Sequence, residues 1–233
     1  MVNNLFNDVV LVIGSKPDTV MPNIIPKKIY AANGAAERAI VYKEKNPSTH
    51  IISITGSAGL KVNEVRERIT KLKPDELISH NGKIDLNFFF EASWIKDIKY
   101  RYLEKKGLDI QRKYFSKITL RLADLGLVFG SGNIFFGILR LIYALIKNKP
   151  PMGLTTGCLS ILIALNENKS SKILVTGISL HGGNHFYKFN GVFPYYRGWA
   201  DAYLIKRLPK NLKSRIMTND LKFSKIANVE LIE

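Results

Sequence analysis

The sequence predicts an α/β protein: a single Rossmann-like, doubly wound, mostly parallel sheet with a helical insertion that could act as a lid. Three observations carry that prediction. Val9-Val10-Leu11-Val12-Ile13 is an unbroken apolar, mostly β-branched run followed at once by Gly14-Ser15-Lys16-Pro17-Asp18. Strands buried on both faces by crossover helices read in this way, as continuous apolar runs. The same pairing of apolar run and polar exit recurs at Lys28 to Ala32 before Asn33-Gly34, and at His50 to Ile54 before Thr55-Gly56-Ser57. Finally, Gly153-Leu154-Thr155-Thr156-Gly157-Cys158 opens an apolar segment through Leu165, and Ile173 to Leu180 follows as a further strand and its exit. Turn, buried helix and buried strand in that order complete an alternating pattern.

Between these markers, Ala35 to Lys45 has helical composition and Val62 to Leu72 has the spacing of a charged amphipathic helix. Lys83 to Phe90 is expected to hold another strand. Residues 91–150 change character: Lys, Arg and aromatic side chains accumulate and strands become scarce. Helices are expected over Ala92 to Lys106, Ile110 to Leu127 and Ile134 to Ile146, with the glycines of Gly126 to Gly137 marking a flexible element. Trp199 to Leu208 reads as a helix and Arg215 to Met217 as a short strand. The tail after Asn219 is weakly patterned. Neither internal repeats nor low-complexity tracts occur, so residues 1–233 read as one domain with its insertion at about 91–150.

Composition narrows the classes of partner. The net charge of +16 favours polyanions: nucleotide phosphates, nucleic acid or an anionic membrane surface. The single cysteine, Cys158, lies in an apolar run, which points to packing rather than nucleophilic chemistry and precludes an intrachain disulfide. Met1 to Asp8 shows no basic segment or cleavage site of a secretory signal, so a cytoplasmic location is expected. Ile134 to Ile146 is the only membrane-like stretch. It is shorter than the ~20 residues a spanning helix needs, and Arg140, Lys147, Lys149 and Pro150-Pro151 interrupt or end it. A core helix, a lid and a helix lying in a membrane interface all fit that pattern.

Five segments are candidates for one crevice at the C-terminal edge of the sheet, where open α/β sheets bind ligands. They are Gly14-Ser15-Lys16, Asn33-Gly34, Thr55-Gly56-Ser57, Thr155-Thr156-Gly157, and the loop His181-Gly182-Gly183-Asn184-His185-Phe186-Tyr187. Turn amides, hydroxyls and carboxamides suit a nucleotide's phosphate and ribose. The first loop matches neither Walker A nor G-x-G-x-x-G. No metal motif is visible. His181 and His185 lie four apart in a glycine-rich loop rather than on a helix, which favours a general base or phosphate contact over a zinc pair. His50 and His80 read as structural or solvated.

These residues resemble the bacterial lipooligosaccharide sialyltransferases, and more broadly the transferases of CMP-activated nonulosonic or Kdo-type sugars. In place of that family's Gly-Asn-Gly-Pro-Ser loop stands Gly14-Ser15-Lys16-Pro17-Asp18, with Gly14 and Pro17 kept. Asn33 stands where a donor-contacting Asn ends the second strand. Thr55-Gly56-Ser57 replaces an Asn-Pro-Ser, keeping the Ser. Thr155-Thr156-Gly157, with the helix and strand after it, follows the family's Thr-Ser-Gly turn most closely. Of two phosphate-binding tyrosines six residues apart, His181 replaces the first and Tyr187 matches the second. The resemblance covers roughly residues 8–58 and 152–208. One departure concerns the catalytic base, a His in a Gly-His segment before an Asp-containing helix. Here Tyr195-Tyr196-Arg197-Gly198-Trp199-Ala200-Asp201 occupies that place, with Asp201 aligned and no His. The base then falls to His185, His181 or Asp201, or the chain is inactive or performs related but different chemistry.

The resemblance implies inverting, metal-independent transfer of the sugar from its CMP donor to a glycan or glycolipid acceptor, with no cofactor. Tyr187 and His181 would donate to the charge building on the departing phosphate. Thr155, Thr156 and the Gly157 amide would hold the donor carboxylate, and Ser15, Asn33, Thr55 and Ser57 the nucleotide. Segment 91–150 would form a lid and acceptor platform, at the inner face of an anionic cell membrane. Such transferases build lipopolysaccharide and capsule-type polysaccharide. A homo-oligomer is compatible with the resemblance, although no sequence pattern indicates one. The alternative is a basic nucleic-acid-binding or RNA-modifying α/β protein. The charge and interleaved aromatics suit it, but the cations are spread along the chain and no RNA motif occurs. A dinucleotide oxidoreductase lacks both its glycines and an acidic residue at the second strand's end.

Overall fold

A computed structural model of the chain describes residues 8–90, 93–129, 133–180 and 195–232. The elements run β1 (Val9–Ile13), β2 (Lys28–Ala32), a 3-10 segment (Asn33–Ala39) leading into α1 (Ile40–Lys45), β3 (His50–Gly56), α2 (Ser57–Leu60), α3 (Asn63–Leu72) and β4 (Glu76–His80). Next come α4 (Leu86–Phe89), β5 (Lys99–Leu103), α5 (Leu108–Arg112), α6 (Lys117–Leu122), α7 (Gly126–Phe129), α8 (Ile134–Ile146) and α9 (Thr156–Glu167). The chain closes with β6 (Lys172–Thr176), α10 (Tyr195–Lys206), α11 (Lys210–Lys213), β7 (Ile216–Thr218), α12 (Leu221–Ala227) and β8 (Glu230–Leu231).

The eight strands form one sheet in the order β5-β4-β3-β2-β1-β6-β7-β8, and every neighbouring pair is parallel. The chain winds outward from β1 in both directions, so the order reverses between β1 and β6. The connections divide accordingly between the two faces. Those leading from β1 to β5 pack on one face, where Leu11, Ile13, Ile29 and Leu77 meet Ala35, Ile69 and Phe90. Those leading from β5 to β8 pack on the other, where Val10, Val12, Ile52 and Val175 meet α9, α10 and Phe223 of α12. This division defines a doubly wound, Rossmann-like α/β fold. Its apolar strands are buried because side chains alternate between two covered faces, which is why they read as unbroken apolar runs.

Several elements differ from the sequence reading, among them the helix expected over Ile110 to Leu127, which is divided between α5, α6 and α7. The fourth strand is Glu76–His80, and Leu86–Phe89 within the expected 83–90 strand is a helical turn with Asp85 as its N-cap. β4 was hard to read because only Leu77 and Ile78 are apolar. Its first residue, Glu76, is 3% exposed because Arg101 Nε donates to Oε1 at 2.9 Å and Lys99 lies at 3.6 Å. Both cations come from β5, which occupies Lys99–Leu103 inside the span expected to be helical from Ala92 to Lys106. A paired carboxylate makes a charged strand end compatible with burial. The weakly patterned tail forms α12 and β8, the sheet's other edge.

Candidate functional site

The order reversal between β1 and β6 places their exits side by side. The Gly14 amide donates to the Thr176 carbonyl and the Lys16 amide to the Gly177 carbonyl, each at 2.8 Å. A Cβ at Gly14 would lie 2.2 Å from the Gly177 carbonyl oxygen, so only glycine permits this approach. These two amides are thus committed to the fold, and Ser15 between them is 8% exposed. Lys16 pairs with Asp220, the N-cap of α12. Arg38 reaches toward the Gly14 carbonyl, at 3.5 Å, and brings a second cation to this exit. Burial lowers the pKa of Arg38 against the opposing pull of Asp18.

Asn33, at the end of β2, adopts a left-handed conformation with φ 51°. Its Oδ1 accepts from Thr55 Oγ1 at 3.1 Å. Thr55 is fully buried and orients Asn33 rather than facing the crevice. Ser57 is half-buried and donates to the Asn81 carbonyl at 2.6 Å. His80 ends β4 and is 4% exposed, with its ring against Gly56 and its Nε2 2.8 Å from Thr156 Oγ1. The donor of that bond depends on the imidazole tautomer.

Thr156 and Gly157 open α9, a 12-residue helix whose first-turn amides have no intrahelical acceptors. The loop leading to them is clamped by three buried acidic or amide side chains. Asp124 Oδ1 accepts from the Met152 amide at 2.8 Å, Gln111 Oε1 from the Leu154 amide at 3.0 Å, and Asp201 Oδ1 from the Thr155 amide at 2.9 Å. Gly153 takes φ 62° and leaves no room for a Cβ beside Gln111. Arg197 donates to the Met152 and Leu154 carbonyls at 3.2 and 3.3 Å. The insertion and α10 therefore act on the site by positioning the Thr-Thr-Gly turn.

Asp201 is 1% exposed, and its second oxygen accepts from Thr155 Oγ1 at 2.5 Å. Burial raises its carboxyl to about 6 against the opposing influence of Arg197 and the Thr155 bonds. Burial and the neighbouring Asp201 charge push the Cys158 thiol upward, as befits a packed rather than reactive cysteine.

Gly14, Ser15, Asn33, Thr55, Ser57, Thr155, Thr156 and Gly157 thus come together along the C-terminal edge of the sheet. Several serve the fold more than a ligand: Thr55, Ser57 and Thr155 spend their hydroxyl protons on internal acceptors, and Asp201 sits beneath the site. His181, His185 and Tyr187 lie outside the described residues. His80, read from the sequence as structural or solvated, is buried at the end of β4 against Thr156. The signal for that place was Leu77-Ile78-Ser79-His80, a short apolar run ending in polar residues like the other strand exits. Among the described residues, no group of three or more His, Cys, Asp or Glu side chains is arranged to hold a metal ion. A surface groove of about 670 Å³ between α3 and α4 is lined by residues such as Arg66 and Phe88 and includes none of these strand ends.

No model of a known protein family matches the chain, and no curated protein or solved structure matches it either.

Proposed function

We propose that the protein is an inverting, metal-independent glycosyltransferase that moves a nonulosonic or Kdo-type sugar from its CMP donor to a glycan or glycolipid acceptor. The observation that carries this reading is the clamped Thr155-Thr156-Gly157 turn at the start of α9, beside His80 and near the β1–β6 reversal. A donor carboxylate needs preorganised donors, and the Thr156 hydroxyl with the first-turn amides of α9 supplies them. Thr155 has a supporting role here because its hydroxyl proton goes to Asp201. Asn33 keeps its amide nitrogen as a donor toward the nucleotide, with Thr55 holding its oxygen. Lys16, paired with Asp220, and Arg38 stand beside the same edge.

Transfer requires removal of a proton from the acceptor hydroxyl as the bond to the CMP phosphate breaks. His185 and His181 are the imidazoles first suited to that task, and His80 is a third, itself buried with its Nε2 against Thr156 Oγ1; Asp201 instead supports the turn, since both its oxygens accept from Thr155. Tyr187 would donate to the departing phosphate. The reading places the protein peripherally at the inner face of the cell membrane, where glycolipid acceptors are built.

Calorimetric titration with CMP against AMP, UMP and GMP, with and without EDTA, tests this proposal. Selective CMP binding that survives EDTA is expected. Equal, weak binding of all four would overturn it in favour of the basic nucleic-acid-binding reading. Replacing His80 with Asn should lower turnover on the CMP-sugar by about 100-fold or more if the imidazole is the base. Unchanged turnover would return the role to the 181–187 loop.

A further inference from the structure

Helix α8 is apolar, yet nine of its 13 residues are exposed large hydrophobics, among them Phe135 at 66%, Ile142 at 45% and Ile146 at 75%. Only Gly137 is buried, and α8 leans on α7. At about 100° per residue, buried Gly137 and half-buried Leu141 and Ala144 mark the side turned to the protein. The exposed apolar side chains, from Ile134 round to Phe136, cover an arc of roughly 200°. Arg140 and Lys147 lie together just beyond one edge of that arc. Tyr143 stands at the same edge with Lys149 Nζ 4.3 Å from its ring centroid. No Asp or Glu occurs between Asp124 and Glu167.

We infer that α8 is a membrane-docking helix that lies in the interface of an anionic bilayer. Its apolar arc enters the acyl boundary, and Arg140, Lys147 and Lys149 meet the lipid phosphates. The helix is about 20 Å long and runs parallel to the surface. No described helix is long and apolar enough to cross a membrane.

Charge and shape select lipid over a second copy of the chain. Lipid can surround an arc of this width, whereas a rigid partner covers a narrower stripe. A second copy would also bring the same cationic edge and net charge of +16 against its own. The cations at the edge of the arc sit at the depth where headgroup phosphates lie, and Tyr143 is suited to the same level. Docking has a consequence for the crevice. Phe129 of α7 lies against Trp199 of α10, with ring centroids 5.7 Å apart, and α10 carries Asp201 beneath the Thr-Thr-Gly turn. A docked α8 is thus joined through α7 and α10 to the Thr-Thr-Gly turn.

The test is flotation of the full chain with phosphatidylcholine vesicles, with and without phosphatidylglycerol, at moderate salt. Binding to the anionic vesicles alone is expected, with at least a tenfold loss in the Leu139→Asp/Ile142→Asp variant. A fluorophore on Ile142→Cys should shift to the blue on binding, since Cys158 is buried and does not compete for label. Circular dichroism and sedimentation of the variant check that the exposed substitutions leave fold and mass unchanged. Equal vesicle binding by variant and parent would mean that charge alone drives association and would overturn the inference. So would absence of vesicle binding, and a dimer abolished by the variant would then assign the face to a second copy. Neither result depends on the CMP titration, so this inference and the proposed reaction fail separately.

Discussion

Helices α8 and α9 are nearly the same length, and both consist mainly of Ile, Leu, Phe, Ala and Gly. α9 lies against the sheet, and Cys158 to Leu165 are all buried. α8 is exposed over most of its circumference. The difference lies in their ends and neighbours. The turn before α9 is gripped through its amides by Asp124, Gln111 and Asp201, and Glu167 at its far end accepts from Tyr30 at 2.7 Å and pairs with Arg101 at 2.6 Å. α8 carries Arg140 mid-helix and is followed by Lys147 and Lys149. Hydrophobicity alone therefore does not separate core from surface.

The largest expected contrast comes from placing one charge in each helix. Leu162→Asp puts an unpaired carboxylate against the sheet and should cost more than about 4 kcal/mol, enough to prevent stable folding. Ile142→Asp should change stability by less than about 0.5 kcal/mol in urea unfolding. Similar losses for the two would show that α8 is packed rather than exposed and would break the comparison.

The grip on α9 can be sharpened at Asp201. Asp201→Ala strands the Thr155 amide and hydroxyl, and a loss of about 2–4 kcal/mol is expected from denaturant midpoints. The same residue gives a pH signature. Its carboxyl rises from the ordinary 3.8 to about 6 on folding, so the folded state binds this proton more tightly. Its contribution favours the folded chain at low pH and falls away as pH rises from about 4 through about 6, by roughly 3 kcal/mol in all. Asp201→Asn should flatten the stability profile across that window, and a slope equal to the parent's would assign the titration elsewhere. A smaller loss than at Asp201 is expected at Gly153→Ala, which forces a side chain into φ 62° beside Gln111. A cost of about 1–3 kcal/mol, with weaker ligand binding at the displaced turn, would confirm that the loop sets the site.

The outcome for the site follows the same division. Gly14, Asn33, Thr156 and Gly157 were legible as strand and turn ends because apolar runs stop there. Their commitments were not. Thr55, Ser57 and Thr155 carry hydroxyls that a sequence shows as available but the fold spends on Asn33, Asn81 and Asp201. The place of His80 at a strand end was not legible because β4 has a charged first residue, and the cations neutralising it come from a strand hidden in a basic, aromatic segment.

By itself the sequence determined the parallel α/β architecture, the extents of β1, β2 and α8, and which polar residues stand at the strand ends. These follow from local periodicity and from the chemistry of turns, which each segment carries with it. Only the tertiary structure decided that Glu76 is buried, that Asp201 supports a turn 46 residues before it, that His80 meets Thr156, and that one apolar helix is core while another faces outward. Those outcomes depend on partners distant in the chain, because the cost of burying a polar group and the gain from burying an apolar one are both set by what the fold brings alongside.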